Sequence, residues 1–186
     1  MERPIIVCYT GGTCGDLITT LIDSSTSHSE GAQILINADR ERLKKPHTFN
    51  TIEEKDQYIR SIKQYASIPS HDLEYHLARG HEFIGIRVTD PATALWAANR
   101  FKALHRPHVW EEMTRVCGAT TVDEYAQMLI DFGNYISENT NNIIHLEDII
   151  AGRVLDQLGS LVDAPLDPLA KNIYNKWLSE NKCKLD

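Results

Sequence analysis

A glycine-rich segment directly after the first apolar run carries the strongest chemical signal in the sequence. Residues 5–9 are apolar, residues 10–16 read Thr-Gly-Gly-Thr-Cys-Gly-Asp, and residues 17–22 form an amphipathic stretch. A turn between a strand and a helix can aim several backbone N–H groups at one anion, and glycines let the backbone approach it closely. A tight turn without a ligand is the alternative. We predict that the turn binds phosphate or sulfate through Gly11, Gly12, Thr13, Cys14, Gly15 and Asp16.

This turn matches the common nucleotide loop only in part. When Gly15 is aligned with the second glycine of G-x-x-x-x-G-K-[ST], Asp16 stands at the lysine and Leu17 at the hydroxyl residue. The charge that normally meets the β- and γ-phosphates is therefore absent, so the loop does not specify an ordinary magnesium-ATP kinase. Cys14 would have a stabilised thiolate beside the helix start. Because no base is adjacent in sequence, we interpret it as a small loop residue.

Transfer of a sulfuryl or phosphoryl group to an alcohol needs a base near the acceptor hydroxyl. His71 is the first candidate, because it stands at the predicted carboxyl end of a strand, where parallel sheets place their ligands. Asp72 would orient the imidazole or act as the base itself. The alternative is a helix start that Ser70 caps and the charge of Asp72 favours.

The same transfer needs positive charge near the moving group, and residues 99–108 are the densest basic segment of the chain. Arg100 and Arg106 are predicted to supply this charge, whereas Lys102 fits a solvated helix end. Arg87, inside a predicted strand, would reach the anion or pair with an acidic neighbour. His71, His76 and His81 recur every five residues, which separates them on a helix, so we predict no metal site.

These side chains would be positioned by alternating strands and helices. The β-branched runs at residues 5–9, 83–88 and 142–146 predict strands, and residues 34–36 and 65–68 are weaker candidates. Asp90-Pro91 and Asp167-Pro168 are typical helix starts, and Thr121 with Glu124 has the spacing of a capping box. We expect Leu95, Ala98 and Phe101 to face inward, as do Ile52, Ile59 and Ile62 of a helix at residues 52–64. The order predicts an α/β fold.

Three further segments of the chain resemble segments that follow one another in the same order in a known family. Residues 65–72 resemble the strand that ends in Thr-His in P-loop sulfotransferases, and residues 83–91 resemble their strand that ends in Arg-(Asp/Asn)-Pro. Residues 143–150, before residues 155–159, are similar to their late strand, Glu-Asp-Leu turn and short helix. The resemblance implies a three-layer parallel sheet with helices on both faces. It also implies transfer from a nucleotide donor such as 3′-phosphoadenosine 5′-phosphosulfate.

A second likeness is to small P-loop kinases, including viral enzymes that phosphorylate a hydroxymethyl pyrimidine in a nucleotide or in DNA. Thr89 stands where sulfotransferases have the arginine that contacts the 3′-phosphate of the donor, and Ala97 where they have a serine, which favours a kinase. The absence of the lysine from the glycine-rich loop disfavours a kinase. A kinase would use ATP and Mg²⁺. A third hypothesis is a non-catalytic nucleotide-binding protein that kept the fold and lost the lysine.

Composition sets the remaining expectations. The chain has 186 residues, 42% of them hydrophobic, and 19 Lys and Arg against 26 Asp and Glu, which predicts a single domain at residues 1–186. A net charge of −7 repels phosphate backbones, so DNA contact would need a local basic patch. Because no run of about 18 apolar residues occurs, we predict a cytoplasmic protein without a membrane partner.

Overall fold

Four short strands run parallel in one sheet. The computed structural model describes residues 5–25, 51–61, 67–105, 107–162, 166 and 168–181. The strands are β1 (Ile5–Cys8), β2 (Ser67–Ser70), β3 (Phe83–Arg87) and β4 (Ile143–His145), in the order β2-β1-β3-β4. The helices in these ranges are α1 (Gly15–Ser25), α2 (Ile52–Ser61), α3 (Leu73–Ala78), α4 (Pro91–Leu104), α5 (Pro107–Cys117), α6 (Val122–Asn139), α7 (Leu146–Ile150), α8 (Val154–Val162) and α9 (Pro168–Glu180).

Strand β1 lies inside the sheet and is buried on both faces. Val7 packs in one apolar cluster with Ile18 of α1, whereas Ile6 packs in a second cluster with Leu73 of α3 and Ile136 of α6. Neighbouring residues of a strand point to opposite faces, so these clusters lie on the two sides of β1. A continuous apolar run is what a parallel strand covered on both sides requires. The predicted α/β fold with a parallel sheet is confirmed.

The predicted helix starts rest on the expected hydrogen bonds. The Asp90 carboxylate accepts the N–H of Thr93 at 2.7 Å, and Pro91 opens α4. At α6, the Thr121 hydroxyl accepts the N–H of Glu124, and the Glu124 carboxylate accepts the N–H of Thr121, both at 3.1 Å. Both predicted caps are confirmed. Helix α9 begins at Pro168 as expected, but Asp167 lies outside the described residues.

Two predictions about inward faces are wrong. Leu95 is 37% exposed because α4 turns another stripe inward, which consists of Ala94, Ala97, Ala98 and Phe101 at helical spacing. Ile52 is 56% exposed because it stands at the start of α2, where Lys55 is the buried residue.

Some predicted boundaries also move. The strand expected at residues 65–68 is observed at Ser67–Ser70, and the helix expected at residues 52–64 is observed at Ile52–Ser61. Residues 34–36 and 62–66 lie outside the described residues. None of the helices in the described ranges is long and apolar enough to span a bilayer.

Helix α6 approaches β3 closely at Gly85. A Cβ placed on Gly85 would lie 2.1 Å from Cγ2 of Ile136, so the helix can sit this near the strand only because no side chain is present. The two residues should therefore be energetically coupled. Gly85→Ala should lower the free energy of unfolding by about 1–3 kcal/mol through overpacking. Ile136→Ala should lower it by about 2–5 kcal/mol through the cavity that it leaves.

The double variant should lose clearly less than the sum of the two single losses, because Ile136→Ala removes the methyl group that the new Cβ would strike. Urea unfolding of the four proteins measures this coupling. Additive losses would show that the close approach of α6 to β3 is not the cause.

Candidate functional site

The glycine-rich turn lies at the edge of the sheet where its strands end. Between the described strands, the chain runs from β1 to β2 on one side of β1 and then to β3 on the other side. The carboxyl ends of β1 and β3 therefore form a topological switch point, where open α/β sheets bind ligands. Residues 9–15 follow β1 at this point, and His71 follows β2 at the same edge.

The turn has alternating backbone conformations. Gly12 has φ of +96° and Cys14 has φ of +65°, whereas Thr13 between them has a negative φ. Cys14 is the only residue other than glycine with a positive φ among the described residues. Successive N–H groups in such an alternation point toward one concave site, which suits an anion.

Part of the turn is closed on itself. The Thr13 N–H donates to the Thr10 carbonyl at 3.1 Å, and the Thr13 hydroxyl donates to the same oxygen at 2.7 Å. In the described part of the chain, the N–H groups of Gly12 and Cys14 donate no hydrogen bond to another residue. These two donors remain for a ligand.

The glycines are also required by packing. A Cβ on Gly15 would lie 2.1 Å from the Tyr9 ring, and one on Gly11 would lie 2.7 Å from the Phe101 ring. A Cβ on Gly12 would lie 2.8 Å from the carbonyl oxygen of Ala97, in α4. The turn is therefore pressed between Tyr9 and α4, and this contact fixes the direction of its amides.

His71 is held beside the start of the turn. Its Nδ1 lies 2.8 Å from the Tyr9 carbonyl oxygen, and the Tyr9 and His71 rings meet edge to face with centroids 4.5 Å apart. A carbonyl can only accept, so Nδ1 is the donor, and in the neutral ring the basic lone pair is on Nε2. The predicted role of Asp72 in orienting the imidazole is performed by the Tyr9 carbonyl instead.

Asp72 has other partners. Its Oδ1 accepts the N–H of Tyr75 and caps α3, a position that sequence analysis had given to Ser70, and its Oδ2 accepts Lys55 Nζ at 2.9 Å. Desolvation raises the pKa of Asp72, but the hydrogen bonds from Lys55 and from the Tyr75 amide outweigh it and lower the pKa below its usual value. A carboxylate that is stabilised in this way is a weak base. His71 is the better candidate of the two.

Arg100 reaches the turn from α4. Its Nη1 lies 4.0 Å from Cys14 Sγ, and its Nε donates to Asn181 Oδ1 at 3.0 Å. The guanidinium stands between the rings of Trp96 and Trp177, at 5.7 and 5.6 Å from their centroids. The structure thus brings Arg100 and the turn together. Arg106 lies outside the described residues.

Three predictions about single residues are corrected. Burial raises the pKa of Cys14 to about 12, so its sulfur is a thiol and not the stabilised thiolate expected at a helix start. Arg87 donates to Asn134 Oδ1 at 2.7 Å, and within the described ranges it contacts neither the turn nor an acidic side chain. His76 and His81 are not separated, since α3 ends at Ala78 and their Nδ1 atoms lie 3.1 Å apart.

Sequence analysis missed two charged groups at this edge. Lys55 is only 7% exposed, and sequence analysis gave it no role; its spacing of four from Ile59 on α2 was the available signal. Glu147 Oε1 accepts the N–H groups of Thr89 and Asp90, both at 2.7 Å, and so places a carboxylate at the end of β3. No sequence pattern indicated this long-range contact.

Comparison of the chain with models of protein families, with curated proteins and with solved structures finds no match in any of the three. The chemistry of the site is therefore assigned from its own residues. Two amides and a guanidinium can bind an oxyanion, and an oriented imidazole beside them can accept a proton. In the described ranges no three His, Cys, Asp or Glu residues are grouped as metal ligands.

A buried imidazole next to this site should make folding sensitive to acid. His76 is fully buried, and its Nε2 lies 2.8 Å from Ser70 Oγ. Desolvation, followed by the charges of Lys55 and His81, lowers its pKa to about 3. Below about pH 6.5, His76 is therefore protonated in the unfolded chain but stays neutral in the folded protein. The free energy of unfolding falls from this pH toward pH 3.

Replacement of His76 by Gln should remove this contribution. We expect His76→Gln to be less stable than the parent at about pH 7, because Gln cannot reproduce both ring contacts, and to lose less stability than the parent between about pH 6.5 and 4. Urea midpoints across this range measure the effect, with His108→Gln on the exposed start of α5 as the control. A parallel pH profile for His76→Gln and the parent would contradict it.

Proposed function

We propose that this protein is a nucleotide-dependent transferase that moves a sulfuryl or phosphoryl group to a hydroxyl acceptor. In this proposal residues 11–16 hold phosphates of the donor, and the fold is a three-layer, P-loop and sulfotransferase-like arrangement. The burial of both faces of β1 supports the layered arrangement. The protein acts on small molecules or a modified nucleotide in the cytoplasm, and DNA is a further acceptor to be tested.

The observation that carries the proposal is the alternating turn at the switch point of the sheet. Gly12 and Cys14 have positive φ values, and their amides donate to no other residue of the described chain. Arg100 adds a positive charge close to Cys14. Backbone amides and a guanidinium are the groups that stabilise phosphoryl and sulfuryl oxygens, because such transfers depend mainly on positioning and electrostatics.

His71 activates the acceptor in this mechanism. The hydrogen bond to the Tyr9 carbonyl keeps Nδ1 protonated, so Nε2 takes the proton from the hydroxyl as it attacks the transferred group. The transferred group leaves the donor's terminal bridging oxygen and becomes bonded to the acceptor oxygen. Because Tyr9 begins the turn, the base and the donor site are fixed to each other by one residue.

Glu147 favours a phosphoryl donor over one that carries a 3′-phosphate. Its carboxylate binds the amides of Thr89 and Asp90 and the hydroxyl of Thr89, where sulfotransferases contact the 3′-phosphate of their donor. An internal carboxylate at this place would repel that phosphate. The second candidate, a kinase of a hydroxymethylated pyrimidine, rests on this contact. The Mg²⁺ of such a kinase would need only one or two carboxylate ligands besides the phosphates. Asp16, in the first turn of α1, has a carboxylate that could serve as such a ligand.

Nucleotide binding is the first test. The parent protein should show a higher melting temperature with a nucleotide among ATP, GTP, deoxynucleotides and 3′-phosphoadenosine 5′-phosphate, since a ligand of the folded state stabilises it. In a calorimetric titration, Arg100→Gln should raise the dissociation constant of the nucleotide about tenfold or more. A loss of this size is what removal of one charge-assisted hydrogen bond causes. Lys102→Gln, on the exposed side of α4, is the matched control. Absence of binding by the parent would refute the proposal.

Turnover separates the two enzymatic forms from the non-catalytic one. With radiolabelled ATP and hydroxyl acceptors, a kinase transfers label, whereas transfer of a labelled sulfuryl group identifies a sulfotransferase. His71→Asn keeps a donor for the Tyr9 carbonyl but removes the base. It should bind nucleotide like the parent and lose about 10²-fold or more in kcat. Nucleotide binding without turnover, unchanged in His71→Asn, would identify a non-catalytic binding protein.

Valine substitutions in the turn are not clean tests. A side chain at Gly12 or Gly15 would meet Ala97 or the ring of Tyr9 at under 3 Å, so these variants would disturb the fold together with the site.

A further inference from the structure

Lys55 is a buried cation with an exposed partner. The lysine side chain is 8% exposed, whereas the Asp72 side chain that it contacts at 2.9 Å is 54% exposed. The ammonium also lies 3.9 Å from the centre of the Tyr75 ring. An ammonium has three donors, and one carboxylate oxygen and one ring face leave part of this capacity unused among the described residues.

The position of Lys55 links it to the glycine-rich turn. Its partner Asp72 directly follows His71, which is bonded to the Tyr9 carbonyl at the start of the turn. Its charge also reaches the thiol of Cys8, the last residue of β1: burial raises the pKa of Cys8 to about 12, and Lys55 acts in the opposite direction. Lys55 therefore approaches the carboxyl ends of β1 and β2 from α2.

Among the described residues, Asp72 is the one acidic side chain that forms an ion pair with Lys55. His76, also fully buried on this side, is kept neutral by burial and by Lys55 itself, and Arg79 is paired with Asp56 of α2. Asp72 is the carboxylate that Lys55 contacts, and half of that carboxylate is used to cap α3. A second anion at this edge would thus find a cation that can be shared or released.

We propose that Lys55 is the cation of the donor site, replacing the lysine that the turn lacks at Asp16, and that it exchanges Asp72 for an oxygen of the bound phosphate or sulfate. This inference rests on the proposed function. In the free protein Asp72 holds Lys55, and in the complex the ammonium contacts the ligand. Asp72 then acts as a competitor of the ligand, and removing its charge frees Lys55.

Substitutions on the two sides of the ion pair test the exchange, because they should have opposite effects. Binding of inorganic pyrophosphate is measured by calorimetry at low ionic strength. Lys55→Met should raise the dissociation constant of pyrophosphate about tenfold or more. Asp72→Asn keeps an acceptor for the Tyr75 amide and should bind pyrophosphate more tightly than the parent. Lys176→Met, an exposed lysine on α9, is the control for net charge.

The double variant decides whether the gain passes through Lys55. In the Lys55→Met background, Asp72→Asn should give no further tightening, whereas a general effect of charge would give the same gain in both backgrounds. Urea unfolding of each variant shows whether it is folded. If Lys55→Met is unfolded, Lys55→Arg replaces it in the comparison and, because it keeps a cation, should bind within a few-fold of the parent.

The outcomes separate this inference from the proposed function. A parent that binds pyrophosphate, with Lys55→Met equal to it, overturns the role of Lys55 and leaves the proposed function standing. Equal effects of Lys55→Met and Asp72→Asn in the same direction also overturn it, because they indicate an ion pair that only supports the fold. A parent that binds neither pyrophosphate nor nucleotide overturns both.

Discussion

The close contact between the turn after β1 and helix α4 is the constraint on which the site depends. Backbone atoms at Gly11 and Gly12 lie against Phe101 and Ala97 with no room for a Cβ, and Tyr125 donates to the Gly11 carbonyl at 3.2 Å. Close packing of this kind leaves few alternative positions for the backbone. Since His71 is bonded to Tyr9, any shift of the turn would also move the base. The relative positions of the turn and of His71, the candidate base, are thus set by one packed interface.

The two faces of the sheet contribute different chemistry to this edge. On the α1 side, the buried groups are mainly apolar, and Arg100 brings in charge from α4 between two indole rings. On the α3 side, a polar network of Lys55, Asp72, Ser70 and His76 replaces part of the apolar core. Buried polar groups are tolerated only when hydrogen bonds satisfy them, which ties α2 and α3 to the ends of β1 and β2.

Much of the fold could be predicted from local signals, whereas the site could be predicted only in part. The apolar run at β1 and the caps at Asp90 and Thr121 act over a few residues, so the sequence reveals them directly. The burial of Lys55 depends on Asp72, 17 positions away, and the role of Glu147 on amides 57 and 58 positions away. Hydrophobic periodicity carries no information about contacts between residues so far apart in the sequence. The likeness to sulfotransferases and P-loop kinases stays a prediction.

Glycines in the turn have two explanations, and backbone conformation distinguishes them. Gly11 and Gly15 have no positive φ, so the tight contacts with Phe101 and Tyr9 account for them fully. Cys14 is different, because its side chain stands in the left-handed region, which costs about 1–2 kcal/mol. Its thiol is buried, and its N–H donates to no other residue of the described ranges. Under the proposed function, this strain is the cost of aiming the Cys14 amide at an anion beside Arg100.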